Sequence, residues 1–403
     1  MKIEGVKSLN GFISLERYVN NPKYSETAQY SEVDKIYHPR FGEDCFDMPF
    51  YVMDEKDVGV VYANASAGAK NLLYDRAGKI RFFIHPAMKE ELVPYFKGFP
   101  SGSISVAPSS STRTLILKGR FCGNMVKTHL NKRISRFFRR LKRDSILHSL
   151  AISNELEKII LDPKHPKALG FLPESVGVFT DKDFGGGGFG YIIRESAARP
   201  YFEKRYLIPF FALYSSDTKN LEDPPLLLEL VRRNKSNVFD FIMNFIIDPL
   251  IECWVFIYLN YGLCMESHAQ NTLLEVDDNF KPTRIIHRDF QSTPVDPKIA
   301  AMKFFTLPFK KHVIGENDYP DFLEQSLIYD HFIGDYLFGA LEEFICRFGW
   351  CQEEFREAVR KIFKKRMFDQ YKYFPEGHVV LSKGLASDNK YELVYKNEPP
   401  PYR

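Results

Sequence analysis

The chain has 403 residues, too many for one small core, and a prior of roughly 100–200 residues per domain suggests two or three domains. Hydrophobic residues at 44% and charged residues at 27% are the proportions of a soluble globular protein, and 36 Phe with 22 Tyr are enough to build sizeable cores. A formal net charge of +3 gives no support to a nucleic-acid binder or a membrane-surface protein, so such a role would have to come from local clustering.

Six cysteines, Cys45, Cys122, Cys253, Cys264, Cys346 and Cys351, show no CxxC spacing, which excludes the zinc patterns and a disulfide framework. The N-terminus carries Glu4 early and has no apolar run of signal-peptide type. A reducing, cytoplasmic setting is the expectation.

Residues 1–48 are polar and turn-rich and read as irregular structure with short strands. Strands are expected at Phe50–Met53, Gly59–Tyr62 and Ile80–Ile84, and a short helix at Lys89–Phe96. Pro108 and the hydroxyls up to Thr114 make a loop that feeds the strand Leu115–Leu117. The spacing of Ile134, Phe137, Phe138 and Leu141 predicts a basic amphipathic helix from about Arg133 to Arg143, while Val126–Asn131 equally suits a strand. A second amphipathic helix is expected over Ser145–Leu161.

Asp162-Pro163-Lys164-His165-Pro166 breaks the chain and predicts a boundary between residues 1–160 and 161–403. Beyond it, strands are expected at Val176–Phe179, Gly190–Arg194 and Tyr206–Tyr214, and helices at Glu222–Arg233 and Asn237–Leu263. The second helix is apolar, but Asp240, Asn244, Asp248 and Glu252 interrupt it, so a membrane span is not expected. A strand Arg284–Asp289, helices over Phe322–Phe348 and Gln352–Tyr373, and a strand Val379–Leu381 complete the pattern.

Between two apolar segments stands Glu266-Ser267-His268-Ala269-Gln270-Asn271-Thr272-Leu273-Leu274. Polar groups placed there cost about 2–7 kcal/mol each to bury unless partnered. The string is therefore a satisfied structural network or a ligand site.

Other polar clusters are weaker alone. Gly185–Gly188 lacks the Lys-Ser/Thr of a P-loop and reads as a hairpin loop. The basic run Lys127–Arg143 reads as a solvated face, or as one or two cations turned inward on a phosphate or carboxylate, which arginine can grip with two parallel bonds. Ser109–Thr114 gathers hydroxyls and the Arg113 guanidinium, the donors a triphosphate needs. His287-Arg288-Asp289 has the look of a protein-kinase catalytic loop, but the asparagine required five residues beyond the aspartate is Pro294. Asp289 can instead hold a metal ion that Asn271 and Gln270 help to coordinate.

Together these segments resemble the IucA/IucC family, synthetases that build siderophores without a nonribosomal peptide synthetase. Glu266–Leu274 is similar to the family's EAHxQNxLL signature, and Ser111-Thr112-Arg113-Thr114 to its S-x-R-T loop. Lys127–Arg139 is similar to its K-x-S-L-x-x-R-I-T…R segment, with His129 where Ser is usual, and Arg288-Asp289 to its RD strand. Ile84-His85-Pro86 resembles an HPWQ element with Ala87 and Met88 in place of Trp and Gln, and Lys383 with Asn397-Glu398-Pro399 resembles the terminal Lys and NP element.

The resemblance implies that ATP activates a carboxylate, citrate or a derivative, as an acyl-adenylate which an amine or alcohol then attacks. It implies an α+β fold, with a smaller mixed α/β, fingers-like N-terminal part, a larger helix-flanked, palm-like sheet domain, and a nucleotide cleft between them. By motif, Ser111, Arg113, Thr114 and Lys127 would hold the ATP phosphates. Ser135, Arg139, His85 and Lys383 would face the carboxylate substrate, with Arg139, His268 and Lys127 catalytic. His268, Gln270, Asn271 and Asp289 would complete the ATP side, with Asn271 and Asp289 on Mg²⁺. No nucleic-acid or membrane partner is expected, and a homodimer is left open.

Family members carry a further N-terminal portion with an HPxHKxxxG element. His85-Pro86-Ala87-Met88-Lys89 is spaced from Ser111 as HPWQ would be, so that portion is expected to be missing. The alternatives are a compact synthetase, one completed by a partner, or a catalytically silent member. A phosphotransferase using His287-Arg288-Asp289 is the remaining alternative from outside the family.

Overall fold

The computed structural model describes residues 3–20, 31–96, 98–135, 137–182, 187–302, 323–381 and 393–403. The expected strands at Gly185–Gly188's flanks form a hairpin, although residues 183–186 themselves, like Lys383, lie outside the described residues.

Strands β1 (Phe46–Met53), β2 (Gly59–Tyr62), β3 (Ile80–Phe83), β4 (Gly102–Pro108), β5 (Thr114–Leu117) and β6 (Asn124–Thr128) come first in the chain. The short strands β7 (Arg133–Ile134), β8 (Phe137–Phe138) and β9 (Leu169–Phe171) follow, then β10 (Glu174–Thr180), β11 (Phe189–Glu195) and β12 (Tyr206–Pro209). Next are β13 (Thr272–Val276), β14 (Pro282–His287), β15 (His378–Leu381) and β16 (Leu393–Lys396).

An eight-stranded antiparallel sheet runs in the order β2-β10-β11-β6-β5-β4-β1-β3. It curls far enough for Tyr191 on β11 to meet Phe82 and Phe83 of the edge strand β3, with ring centroids 5.7 and 5.2 Å apart. A four-stranded sheet, β12-β13-β14-β9, is antiparallel except for the β14–β9 pair.

These pairings correct the expected boundary at 160/161. Strands β10 and β11 lie beyond it yet sit between β2 and β6, and their Val176, Val178, Phe189, Tyr191 and Ile193 share one core with Phe82, Val106, Leu115 and Val126. Asp162–Pro166 is a turn, and turn residues break a chain locally without telling whether the next strand joins the same sheet.

The larger core surrounds the helix Val238–Ile242, which continues through a wider π-type stretch, Met243–Ile247, into Asp248–Tyr261. Gly262, at φ 72°, ends it in the left-handed conformation that glycine adopts without a Cβ penalty. The helix is long and apolar enough to cross a membrane by composition, but most of it is buried among other elements of the protein. Its interrupting acids have an internal use: Asp248 and Glu252 accept from Arg366 at 2.8 and 2.7 Å.

Three further expectations are corrected. Leu9–Arg17, read as irregular, is a helix capped by Ser8, whose Oγ accepts from Gly11 N at 3.0 Å, and it buries Phe12, Ile13 and Leu15. Arg133–Arg143, read as a helix, instead holds the strand pair β7–β8, with Ser31 pairing Ile134 from outside, and becomes helical only at Arg143. Ser135 turns the chain at φ 57°, and Glu32 N donates to Arg133 O at 3.0 Å. The apolar spacing there suited either form, and a pairing partner distant in sequence decided it. Similarly, only the first four residues of the expected strand Tyr206–Tyr214 are extended, and Phe210–Tyr214 is helical.

Candidate active site

β6 lies between β5 and β11, with Lys127 opposite Thr114 on one side and Ile192 on the other. All of β6 is buried, so the Lys127 side chain has no exposed surface and must find an anion inside. That anion comes from the other sheet. β14 ends at His287, and Asp289, two residues on, adopts φ 73°, an uncommon conformation for a residue with a Cβ. Asp289 Oδ1 accepts from Lys127 Nζ, and Oδ2 lies 3.7 Å from Arg194 Nη2. The Asp289 side chain keeps 22% of its surface accessible, so this charge centre is not sealed from solvent.

Behind it a buried chain of partners holds the pair in place. Arg194 Nη2 donates to Glu174 Oε1, and Ser149 Oγ donates to Glu174 Oε2, with Arg194, Glu174 and Ser149 all buried. Arg113 is on the loop before β5. Its carbonyl accepts from both Thr128 N and Thr128 Oγ1 at 3.0 Å, and its Nη1 donates to Arg139 O at 2.9 Å. Ser111 Oγ accepts from Thr114 N at 3.2 Å, and Thr112 stands at φ 60°. Thr112, Ser135 and Asp289 are thus three left-handed non-glycine residues in the segments singled out for ligand chemistry. Each costs about 1–3 kcal/mol, a strain that concentrates where a fold positions groups for function.

The polar string of Glu266–Leu274 meets the Ser109–Thr114 loop directly. Gln270 Nε2 donates to Ser110 Oγ at 3.3 Å, and Arg288 Nε donates to Gln270 O at 2.9 Å. Arg288 N donates to Asn271 O at 2.9 Å, which locks the string to the Arg288-Asp289 corner. His268 is half-buried, its Nδ1 accepts from Gln270 N at 3.2 Å, and its ring centroid lies 5.9 Å from that of Phe332. Glu266 Oε2 accepts from Ser292 Oγ at 3.3 Å, a buttressing contact.

Charge follows from this geometry. Burial pushes the Lys127 ammonium down, and Asp289 and Glu174 recover part of the shift, leaving it at about 8. Burial alone would raise the Asp289 carboxyl, but Lys127, Arg194 and Arg113 overcome it and hold the group well below the carboxylate range. Burial also keeps His287 neutral, pushed down to about 4, and its Nδ1 lies 3.1 Å from Ser267 Oγ.

The charged form of Lys127 is what an anion needs, and it is lost as pH rises through about 8. Affinity for an anionic ligand is therefore expected to fall from pH 7 to pH 9 in the wild type. Calorimetric titration across that range checks it, and a flat profile would mean that Lys127 does not face the ligand.

The structure brings together Ser111, Arg113, Thr114, Lys127, Gln270, Asn271 and Asp289 as one polar centre, with Arg139 joined through Arg113. Arg139 Nη2 donates to Ile134 O at 3.3 Å beside Ser135. His85 is fully buried, its ring packs edge-on against Tyr37 at 5.4 Å, its Nδ1 accepts from Ala87 N at 3.1 Å, and it meets the Thr112 backbone of the Ser111–Thr114 loop. Three site residues were missed. Arg194, with Glu195, ends an otherwise apolar strand and Glu174 opens another, and charges at the ends of such strands were a usable signal. Glu16 gave none, lying in a segment read as irregular.

Among the described residues no group of three or more His, Cys, Asp or Glu is placed to hold a metal ion. Asp289 and Asn271 carry oxygens of the kind Mg²⁺ takes, and two such groups would leave most of its coordination to a ligand's own phosphates.

Residues 87–215 match the family described as IucA / IucC, and residues 244–341 match the family described as ferric iron reductase FhuF-like transporter. The first match contains Ser111–Arg139 and the second contains His268–Asp289. A curated relative from Staphylococcus aureus (strain NCTC 8325 / PS 47), 2-[(L-alanin-3-ylcarbamoyl)methyl]-3-(2-aminoethylcarbamoyl)-2-hydroxypropanoate synthase, is 21% identical over 235 residues. That alignment spans 53% of this chain and 37% of the relative. Among solved structures, petrobactin biosynthesis protein AsbB from Bacillus anthracis str. Sterne superposes with a TM-score of 0.70 at 17% identity, over 89% of this chain and 68% of that one. ATP-bound aerobactin synthetase IucA from a hypervirulent pathotype of Klebsiella pneumoniae gives 0.67 at 16% identity, over 96% of this chain and 78% of that one. The fold is thus shared with siderophore-biosynthesis proteins.

Proposed function

We propose that the chain, which the IucA / IucC family matches over residues 87–215, is an ATP- and Mg²⁺-dependent synthetase joining a carboxylate, citrate or a derivative, to an amine or alcohol in siderophore biosynthesis. The observation that carries this reading is the meeting of Lys127 and Asp289, 162 positions apart, inside a cluster that also holds Arg113 and Arg194. Forming an acyl-adenylate requires fixed cations along the triphosphate and no covalent protein nucleophile, and fixed cations are what this centre offers.

In the proposed reaction a carboxylate oxygen of the substrate attacks the α-phosphorus of ATP, the bond to the β-phosphate oxygen breaks, and pyrophosphate leaves. The amine nitrogen or alcohol oxygen then attacks the acyl carbon and gives up its proton, and AMP departs with the bridging oxygen. Bound with the nucleotide, Mg²⁺ would neutralise phosphate charge, held on the protein side by Asp289 and Asn271. Ser111, Arg113, Thr114 and Lys127 would grip the phosphates, and His268 and Gln270 the remainder of the nucleotide. Ser135 and Arg139 would orient the carboxylate, with Lys383 assigned there by resemblance alone. A cytoplasmic location goes with this reading, since ATP is the energy source.

Product analysis tests it. Incubation with ATP, Mg²⁺, citrate and a panel of amines is expected to release AMP and pyrophosphate in equal amounts. ADP as product would favour a phosphotransferase, although Asp289, ion-paired to Lys127, is poorly suited to accept a proton from a hydroxyl. ATP binding without turnover would indicate a silent or partner-dependent member.

A further inference from the structure

We propose that Glu16, on the N-terminal helix Leu9–Arg17, is a positioning residue of the nucleotide site, holding the Ser109–Thr114 loop in register with the Gln270–Asp289 side. The inference rests on the proposed nucleotide reading and adds to it a residue from outside the segments that match the family models, the first of which begins at residue 87.

Glu16 has no exposed surface. A carboxylate removed from water must have both oxygens satisfied, and here the two oxygens serve opposite sides of the site. Oε1 accepts from Arg288 Nη1 at 2.5 Å, and Oε2 accepts from Ser110 N at 3.0 Å. Arg288 precedes Asp289, and its Nε also holds Gln270 O at 2.9 Å. Ser110 starts the turn that carries Ser111, Arg113 and Thr114, and its hydroxyl accepts from Gln270 Nε2 at 3.3 Å. One carboxylate therefore closes a ring through Ser110, Gln270 and Arg288. Its neighbour Arg17 is committed elsewhere, donating to Pro39 O at 2.7 Å and pairing with Asp44 at 3.0 Å.

The ring matters because the cations on the two sides act on one ligand only if their separation is set. Misplacing such groups by about 1 Å can cost about 100-fold in rate. Glu16→Gln is the discriminating change. Both partners of Glu16 are donors, and a carboxamide has a single acceptor oxygen, so either Ser110 N or Arg288 faces an NH₂ group instead.

Mg-ATP binding is measured by calorimetry at a temperature where circular dichroism shows each protein folded. Glu16→Gln is expected to raise the Kd for ATP at least about tenfold with stoichiometry unchanged. A purely structural defect would lower the stoichiometry and leave Kd alone. Glu4→Gln serves as control: it removes a surface pair with Arg233, 2.7 Å, from the same segment and is expected to leave Kd at the wild-type value. Should Glu16→Gln fail to fold, Glu16→Asp is read instead. One methylene shorter, it cannot span both partners and is expected to raise Kd at least about threefold. Wild-type Kd in a folded Glu16 variant overturns the inference while leaving the nucleotide reading standing. No ATP binding by the wild type overturns that reading and this inference with it.

Discussion

Replacing Lys127 by methionine is expected to lower kcat/KM for ATP by about 100- to 1000-fold, the size of effect seen when one preorganised charge-stabilising donor is removed. Methionine keeps the unbranched stem and much of the volume, so the strands flanking β6 need not move. What is lost is the fixed ammonium that sits on Asp289 in a position with no exposed surface. Among the described residues Asp289 would then keep the ion pair with Arg194, 3.7 Å away. The single change thus also upsets the local charge, and Lys127→Met combined with Asp289→Asn separates the two effects. The double variant is expected to recover stability, read as a melting temperature, and to remain as inactive as the single one. Restored turnover in the double variant would sink the assignment of Lys127 to the phosphates.

The second large effect is on stability. Glu174→Ala is expected to destabilise the protein by about 3–5 kcal/mol, because it takes from a buried arginine the carboxylate it is hydrogen-bonded to and leaves it Asp289 at 3.7 Å. Both members of that pair are buried, at 3% and 0% side-chain exposure, so solvent offers little screening. With an unfolding entropy of about 2.1 cal/mol/K per residue, the melting temperature should fall by about 4–6 °C. Glu174→Leu with Arg194→Met removes both charges and is expected to regain most of the loss, as paired replacement of buried ions by apolar groups often does. Differential scanning calorimetry decides it, and a shift under about 1 °C for Glu174→Ala would show that the pair contributes little.

The same arginine links stability to the site, since Arg194 lies between Glu174 and Asp289. The core ion pair thus also holds the Asp289 carboxylate, which gives a charged side chain a role near the end of β11.

Local sequence was informative where local physics decides. The amphipathic helix expected over Ser145–Leu161 is found as Arg143–Ile159, because its buried positions recur with the helical period. The strands at Phe50, Val60, Ile80, Leu115, Val178 and Ile192 are likewise found, short runs of β-branched and aromatic residues bounded by turns. Most residues of the polar centre were legible as well, since a carboxylate, an imidazole and carboxamides set in an apolar run require partners wherever they lie.

Other features needed partners far along the chain. Arg133–Arg143 has a spacing compatible with either helix or hairpin, and the extra strand pairing with Ser31 settled it. His85 was singled out by a motif, and only the folded chain shows that it packs on Tyr37 and Phe46 and meets the Thr112 backbone, 27 residues on. Glu16 could not be found at all, since both groups that give it meaning, Ser110 and Arg288, are 94 and 272 residues away.

Read alone, the sequence determined the resemblance to the IucA/IucC family through its ordered motifs, the residue types of its polar centre and most of its strands and long helices. The elements depend on periodicity within some twenty residues. Only the tertiary structure decided which charges meet: Lys127 with Asp289, Arg194 with Glu174, Glu16 with Arg288 and Ser110. The reason is physical. A buried charge takes whichever counter-charge the packing of distant elements brings within reach, and no local pattern records that choice.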